Sequence, residues 1–198
     1  MSVKSLAQSS LTNSHSVNSM LGGYESNYFH HLETVRLSSS AASISFTNLD
    51  RYKDFEHLQL VAVTRQTAGG YTTGLRIRLN NDSSSTYTRH YLYTSGSPLS
   101  SGGGVGTAYI GLDAGNGATA GIFGGNVVDL LDVFDSNKNT TMHCIGGVSS
   151  QVDKLMHITS CGYFNTSPVT TITMLGETDS HAFSTGSRVS LYGLKARS

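Results

Sequence analysis

Tryptophan is absent from this 198-residue chain, proline and cysteine occur twice each, and only 13% of the residues are charged. Each scarcity removes a class of protein. Thirteen basic residues balance thirteen acidic ones, so the formal net charge is zero and the chain lacks the basic field that draws phosphate backbones. Nucleic acid is therefore not an expected partner. With so few Lys and Glu there is no charge patterning to lace a helical bundle together. Cys144 and Cys161 have neither CxxC spacing nor a neighbouring ligand cluster, so they read as small core thiols rather than as a disulfide or metal framework. No apolar run approaches membrane-spanning length, and Met1–Leu6 opens no signal-peptide core. A chain made in the cytoplasm, with its thiols staying reduced and with no membrane partner, is expected. The sequons beginning at Asn81, Asn139 and Asn165 would matter only in a secreted protein.

The polarity comes instead from Ser, Thr, Asn and 22 Gly, and Thr, Tyr, Val and Ile favour strands. At this length a single domain buries roughly 70% of its unfolded surface, enough for a real core. Residues 1–27 are Ser- and Asn-rich, with apolar residues at no sustained period, and read as an N-terminal extended arm preceding a domain over 28–198. Beyond the arm, short alternating runs are separated by turn clusters. Ile44 and Phe46 alternate with Ser43, Ser45 and Thr47; Leu58, Leu60 and Ala62 with Gln59, Val61 and Val63; Leu75, Ile77 and Leu79 with Arg76, Arg78 and Asn80. Asn80-Asn81-Asp82 reads as a tight turn, because Asn and Asp tolerate left-handed backbone, and Tyr87, Arg89 and Tyr91 as the returning strand of a hairpin. Residues 95–125, crowded with Gly, are expected to be a long loop or weak edge strands. Over 126–134, Val127, Leu130, Leu131 and Phe134 also fit helical spacing, but β-branched content and flanking Gly favour a strand buried on both faces. Further strands read at 140–148, 153–163, 168–175 and 183–195. About ten strands predict an all-β, two-sheet, jelly-roll-like sandwich. Phe183–Leu194, a Gly-punctuated turn running into a short apolar strand, reads as the segment that closes a sheet.

Chemistry is hard to find in this sequence. His30 and His31 are adjacent and would point to opposite faces of a strand, while His57, His90, His143, His157 and His181 lie on separate segments without HxH or HxxxH spacing. Asp129, Asp132 and Asp135 are spaced by three and lack the Gly and closing Glu of a calcium loop. Asp82 and Asp113, set among Asn, Ser and Gly, read as turn formers rather than ligands. No Gly-x-Ser-x-Gly elbow occurs. Glu occurs only at 25, 33, 56 and 177, and without Trp to stack on sugars a glycan hydrolase is disfavoured. No catalytic residue, metal or cofactor is expected.

Three blocks carry a family signal in order: Tyr52 to Leu60, Leu75 to Tyr87, and Phe183 to Leu194. Together they resemble virion-surface proteins of tailed, podovirus-like phages of aquatic bacteria, over roughly residues 28–195. The resemblance implies a jelly-roll-like domain that forms homotrimers and serves as a capsid decoration (cement) protein or as a fibre module. It carries over no catalytic residues. The leading expectation is a decoration protein on the outer surface of the head, with itself and the major capsid protein as partners. Leu6, Leu11, Met20, Leu21 and Tyr24 are the expected anchors of the arm. The alternative is a tail or head fibre module that recognises host glycan through the Gly-rich loop, using Tyr109, Asp113 and Asn116.

Overall fold

Alternation along the sequence becomes alternation between two faces. The computed structural model describes residues 29–96, 98–150 and 154–195, and the proposed arm anchors Leu6, Leu11, Met20, Leu21 and Tyr24 lie outside them. Among the described residues there are twelve strands: β1 (Phe29–Arg36), β2 (Ser43–Phe46), β3 (His57–Thr64), β4 (Thr72–Leu79), β5 (Tyr87–Thr94), β6 (Ser100–Gly106), β7 (Tyr109–Ala114), β8 (Gly124–Leu131), β9 (Thr140–Ser149), β10 (Lys154–Tyr163), β11 (Ile172–Leu175) and β12 (Arg188–Leu194). They pair antiparallel in an eight-stranded sheet, ordered β1-β12-β3-β8-β9-β10-β5-β6, and a four-stranded sheet, ordered β2-β11-β4-β7.

The connectivity is that of a jelly roll. The chain steps from one sheet to the other at β1, β2, β3 and β4, and again at β7, β8, β11 and β12, setting β1-β12-β3-β8 against β2-β11-β4-β7. Two hairpins are inserted into this frame, β5–β6 after β4 and β9–β10 after β8. β9–β10 adds to the free edge of β8 and β5–β6 to that of β10, so the large sheet runs four strands beyond the frame. Between the sheets lie Phe46, Leu60, Ile77, Leu130, Ile172 and Leu191, all but inaccessible, and each such side chain contributes about 1.5–3 kcal/mol by leaving water.

Several expectations change. Leu75–Leu79 and Tyr87–Tyr91 are not a hairpin, because β4 pairs with β11 and β7 while β5 pairs with β10 and β6. The intervening turn has the left-handed backbone expected of it, Asn80 at φ 53° and Asn81 at φ 57°, but it crosses from one sheet to the other. The Asn80 carboxamide oxygen accepts the Thr170 and Thr171 amides at 2.8 and 3.3 Å, tying the crossing to the approach to β11. Residues 124–131 are a strand, but only one face is buried: Asn126, Val128 and Leu130 point inward while Val127, Asp129 and Leu131 are half-exposed. The Gly-rich region supplies β6 and β7, which form edges of the two sheets. The terminal block does more than close a sheet, because β12 lies between β1 and β3 and pairs with both.

Candidate functional site

The titratable groups that invited a search for chemistry are mostly absorbed by the fold. His157 is buried, with Nε2 3.1 Å from the Leu112 amide and 2.9 Å from Asn126 Oδ1, and burial pulls its pKa down to about 4, so the ring is neutral. Cys144 and Cys161 are buried free thiols, as expected; burial raises both, Cys161 to about 12. Glu56, His57 and Asp132 each offer a ligand atom within 4.8 Å of the others. Two of the three are already engaged: His57 Nδ1 accepts the Asp132 amide at 3.1 Å, and the Lys138 ammonium sits 2.9 Å from Asp132 and 3.5 Å from Asp135.

The predicted glycan loop does not converge. Tyr109 is half-buried on β7 and Asn116 is exposed, but Asp113 is fully buried, turned against Thr64 and Gln66 at the end of β3 and against Gly124 at the start of β8. Its carboxylate is unavailable to a surface ligand. The loop following β7 is pinned by Arg65, whose guanidinium donates to the carbonyls of Asn116, Ala118, Thr119 and Ile122 at 2.7–3.2 Å.

Two surfaces stand out instead, on opposite sides of the inserted hairpins. On the outer face of the large sheet, Val61, Val127, Ile145, Ile158 and Leu92 stand directly opposite one another across β3, β8, β9, β10 and β5. Five adjacent strands make this aliphatic row about 19 Å long. Ile145, Ile158 and Leu92 keep 54, 50 and 45% of their surface in water, and Met156 on the next row keeps 57%. On the other flank the register places Gln59, Asp129, His143, Ser160 and His90 in a polar row, with Gln59 Nε2 donating to Asp129 at 2.7 Å.

On the inner side, the strands that overrun the frame form one wall of a cleft of about 510 Å³. Arg89, Tyr91 and Tyr93 of β5 face it together with Leu155, His157 and Thr159 of β10; Tyr109, Thr72, Thr73 and Glu177 close the other side. Glycines seat the rings. A Cβ on Gly102 would come within 2.5 Å of the Tyr91 hydroxyl, and one on Gly74 within 2.8 Å of the Tyr109 ring. The Arg89 guanidinium lies 5.2 Å from the Tyr91 ring centre and 4.5 Å from that of Tyr109. Thr73 donates to Glu177 Oε2 at 2.6 Å, and the Tyr109 hydroxyl donates to the Glu177 carbonyl at 3.2 Å. Arg89, Tyr91 and Tyr93 share one face of β5 by the period of two, a signal legible in the sequence; Glu177, from the segment after β11, gives no such signal.

Comparison with protein-family models, with curated proteins and with solved structures finds no match for this chain.

Proposed function

We propose that this chain is a structural virion protein, a capsid decoration protein that trimerises and stabilises contacts between major-capsid subunits. The observation that carries the reading is the aliphatic row across five strands of the outer face. A contiguous apolar surface of this kind on a folded chain marks a surface destined for contact. Around it the side chains are mostly uncharged, so attachment through this face gains from apolar burial rather than from a long-range field. Covering the exposed halves of Ile145, Ile158, Leu92 and Met156 is worth about 1 kcal/mol each, taking about 1.5–3 kcal/mol for a whole side chain. A few kcal/mol per copy is weak attachment for a monomer. Three linked copies add their contacts through high effective concentration, and a ligand that binds only the assembled lattice stabilises it by mass action. The jelly-roll topology, and the resemblance of the three sequence blocks to phage virion-surface proteins, support the same reading.

The test uses particles assembled with and without the protein. Particles lacking it are expected to form and then to burst at lower temperature and under milder osmotic shock. Ile145→Asp with Ile158→Asp, both at exposed positions, is expected to leave the protein folded and to strip it from heads. Unchanged particle stability, or full occupancy by the double variant, counts against the proposal. A copy number matched to the tail rather than to the capsid lattice refers the protein to a fibre, the reading that the aromatic cleft favours.

A further inference from the structure

The cleft between the inserted hairpins and the small sheet has a chemistry of its own, wherever the protein sits on the particle. Its Tyr91 and Tyr109 rings rest on Gly102 and Gly74, where any side chain would force them to move, so their placement is fixed by the backbone of neighbouring strands. Tyr93 lies beside Tyr91, ring centres 6.0 Å apart and tilted by 41°. Between Tyr91 and Tyr109 lies Arg89, a half-buried cation for which no carboxylate partner exists among the described residues. The opposite wall offers the Thr72 and Thr73 hydroxyls and the Glu177 carboxylate. The volume of about 510 Å³ falls within the roughly 300–1,000 Å³ that small-molecule sites occupy.

This chemistry discriminates among ligand classes. Tyrosine rings beside hydroxyl and carboxylate acceptors suit a molecule with both C–H faces and hydroxyl groups, while a purely apolar ligand would strand the polar wall. Nucleotides would also stack, but a chain of zero net charge lacks the field that concentrates phosphates. The unpaired guanidinium calls for an anion with a planar, bidentate face, which a carboxylate has. Glu177 is the single carboxylate among the cleft-lining residues, so the carboxylate pair that glycosidic cleavage needs is not assembled there. We propose that this cleft binds, without cleaving, a saccharide that carries a carboxylate: Arg89 takes the carboxylate, Tyr91, Tyr93 and Tyr109 pack on the sugar faces, and Glu177 with Thr72 and Thr73 holds ring hydroxyls.

Saturation-transfer NMR and calorimetry on the full chain test it, with trigalacturonate, a glucuronate-containing disaccharide and sialyllactose as acidic probes and maltotriose as the neutral control. At least one acidic probe is expected to bind, with maltotriose weaker by roughly tenfold or more, the scale of a hydrogen bond to a charged group. Arg89→Gln should reduce the acidic probe to the level of maltotriose, Arg89→Lys should restore part of the difference, and Tyr91→Ala should remove binding. Dispersed amide spectra check that each variant is folded, and Tyr93→Ala serves if Tyr91→Ala is not. Absence of binding by all three acidic probes, or acidic binding that survives Arg89→Gln, overturns the proposal. So does maltotriose binding as tightly as the acids. The Ile145→Asp, Ile158→Asp protein should bind the saccharide normally, which separates failure of this site from failure of the outer-face contact.

Discussion

Replacing Asp113 by Asn should stabilise the protein in a strongly pH-dependent way. The side chain is fully enclosed; Oδ1 accepts the Ala114 amide at 2.8 Å, while Oδ2 and the neighbouring Thr64 hydroxyl lack partners of good geometry. Burial is the dominant cause that pushes the carboxyl up to about 7, against smaller downward pulls from Thr64, Ala114, Gln66 and Gly124. An unfolded aspartate titrates near about 3.9. Between those values the folded chain keeps a proton that the unfolded chain has released, so stability falls as pH rises from about 4 to about 7 and is level above. At about 1.4 kcal/mol per pH unit, the buried carboxylate costs roughly 4 kcal/mol near pH 8, of which about 3 kcal/mol develops between pH 5 and pH 8. Asp113→Asn keeps the shape and removes the titration. In urea unfolding, the stability of the variant relative to wild type should therefore shift in its favour by about 3 kcal/mol between those pH values. His157 acts in the opposite sense, since burial lowers it to about 4 and stability is lost as pH falls below about 6.5. Both proteins carry His157, so its contribution cancels in the difference. A variant-minus-wild-type difference that is the same at both pH values would refute a desolvated, ionising Asp113.

Tyr87→Phe removes the hydroxyl that accepts the buried Leu79 amide at 3.0 Å, and urea unfolding should show a loss of about 1–3 kcal/mol; a loss below about 0.5 kcal/mol would mean that the amide finds another partner. Cys144 and Cys161 are buried with raised thiol pKa values, so a disulfide reagent should label them in native protein only as fast as the fold opens, and rapid labelling near neutral pH would contradict their placement.

The frame is legible in the sequence where one face is apolar and the other polar. Ile44 and Phe46, Leu58 and Leu60, and Leu75, Ile77 and Leu79 all face the core, because a period of two translates directly into a side of a sheet. Local signals do not reveal which sheet a strand joins. Asn80 and Asn81 have the positive φ of a tight turn, yet the chain there crosses between sheets, a path decided by the pairing of β4 with β7 and β11 far along the chain. β1 is not legible, because its alternation is interrupted by a register shift between His31 and Glu33. Asp113 has the Gly-rich neighbours of a turn former, whereas the edge strand β7 turns it inward.

The two surfaces are hidden in the sequence for a related reason, and their location has a consequence. Val61, Val127, Ile145, Ile158 and Leu92 sit one per strand at positions where a lone aliphatic residue is unremarkable, and only the register aligns them. The cleft draws on β4, β5, β7, β10 and the segment after β11. Both surfaces depend on the inserted hairpins, and β5 and β10 serve both at once: Leu92 and Ile158 point outward while Tyr91, Tyr93 and Thr159 point inward. The hairpins also feed the common core, through Tyr87, Met142, Cys144, Cys161 and Tyr163. On the two proposals, substitutions at the outward Leu92 and Ile158 should affect attachment and those at the inward, half-buried Tyr91 and Tyr93 the ligand, with little loss of stability, whereas Tyr87, Cys161 and Tyr163 of the same strands belong to the core. Substitutions at core positions such as Leu60 or Ile77 should instead act through stability, by about 2–5 kcal/mol for truncation to Ala.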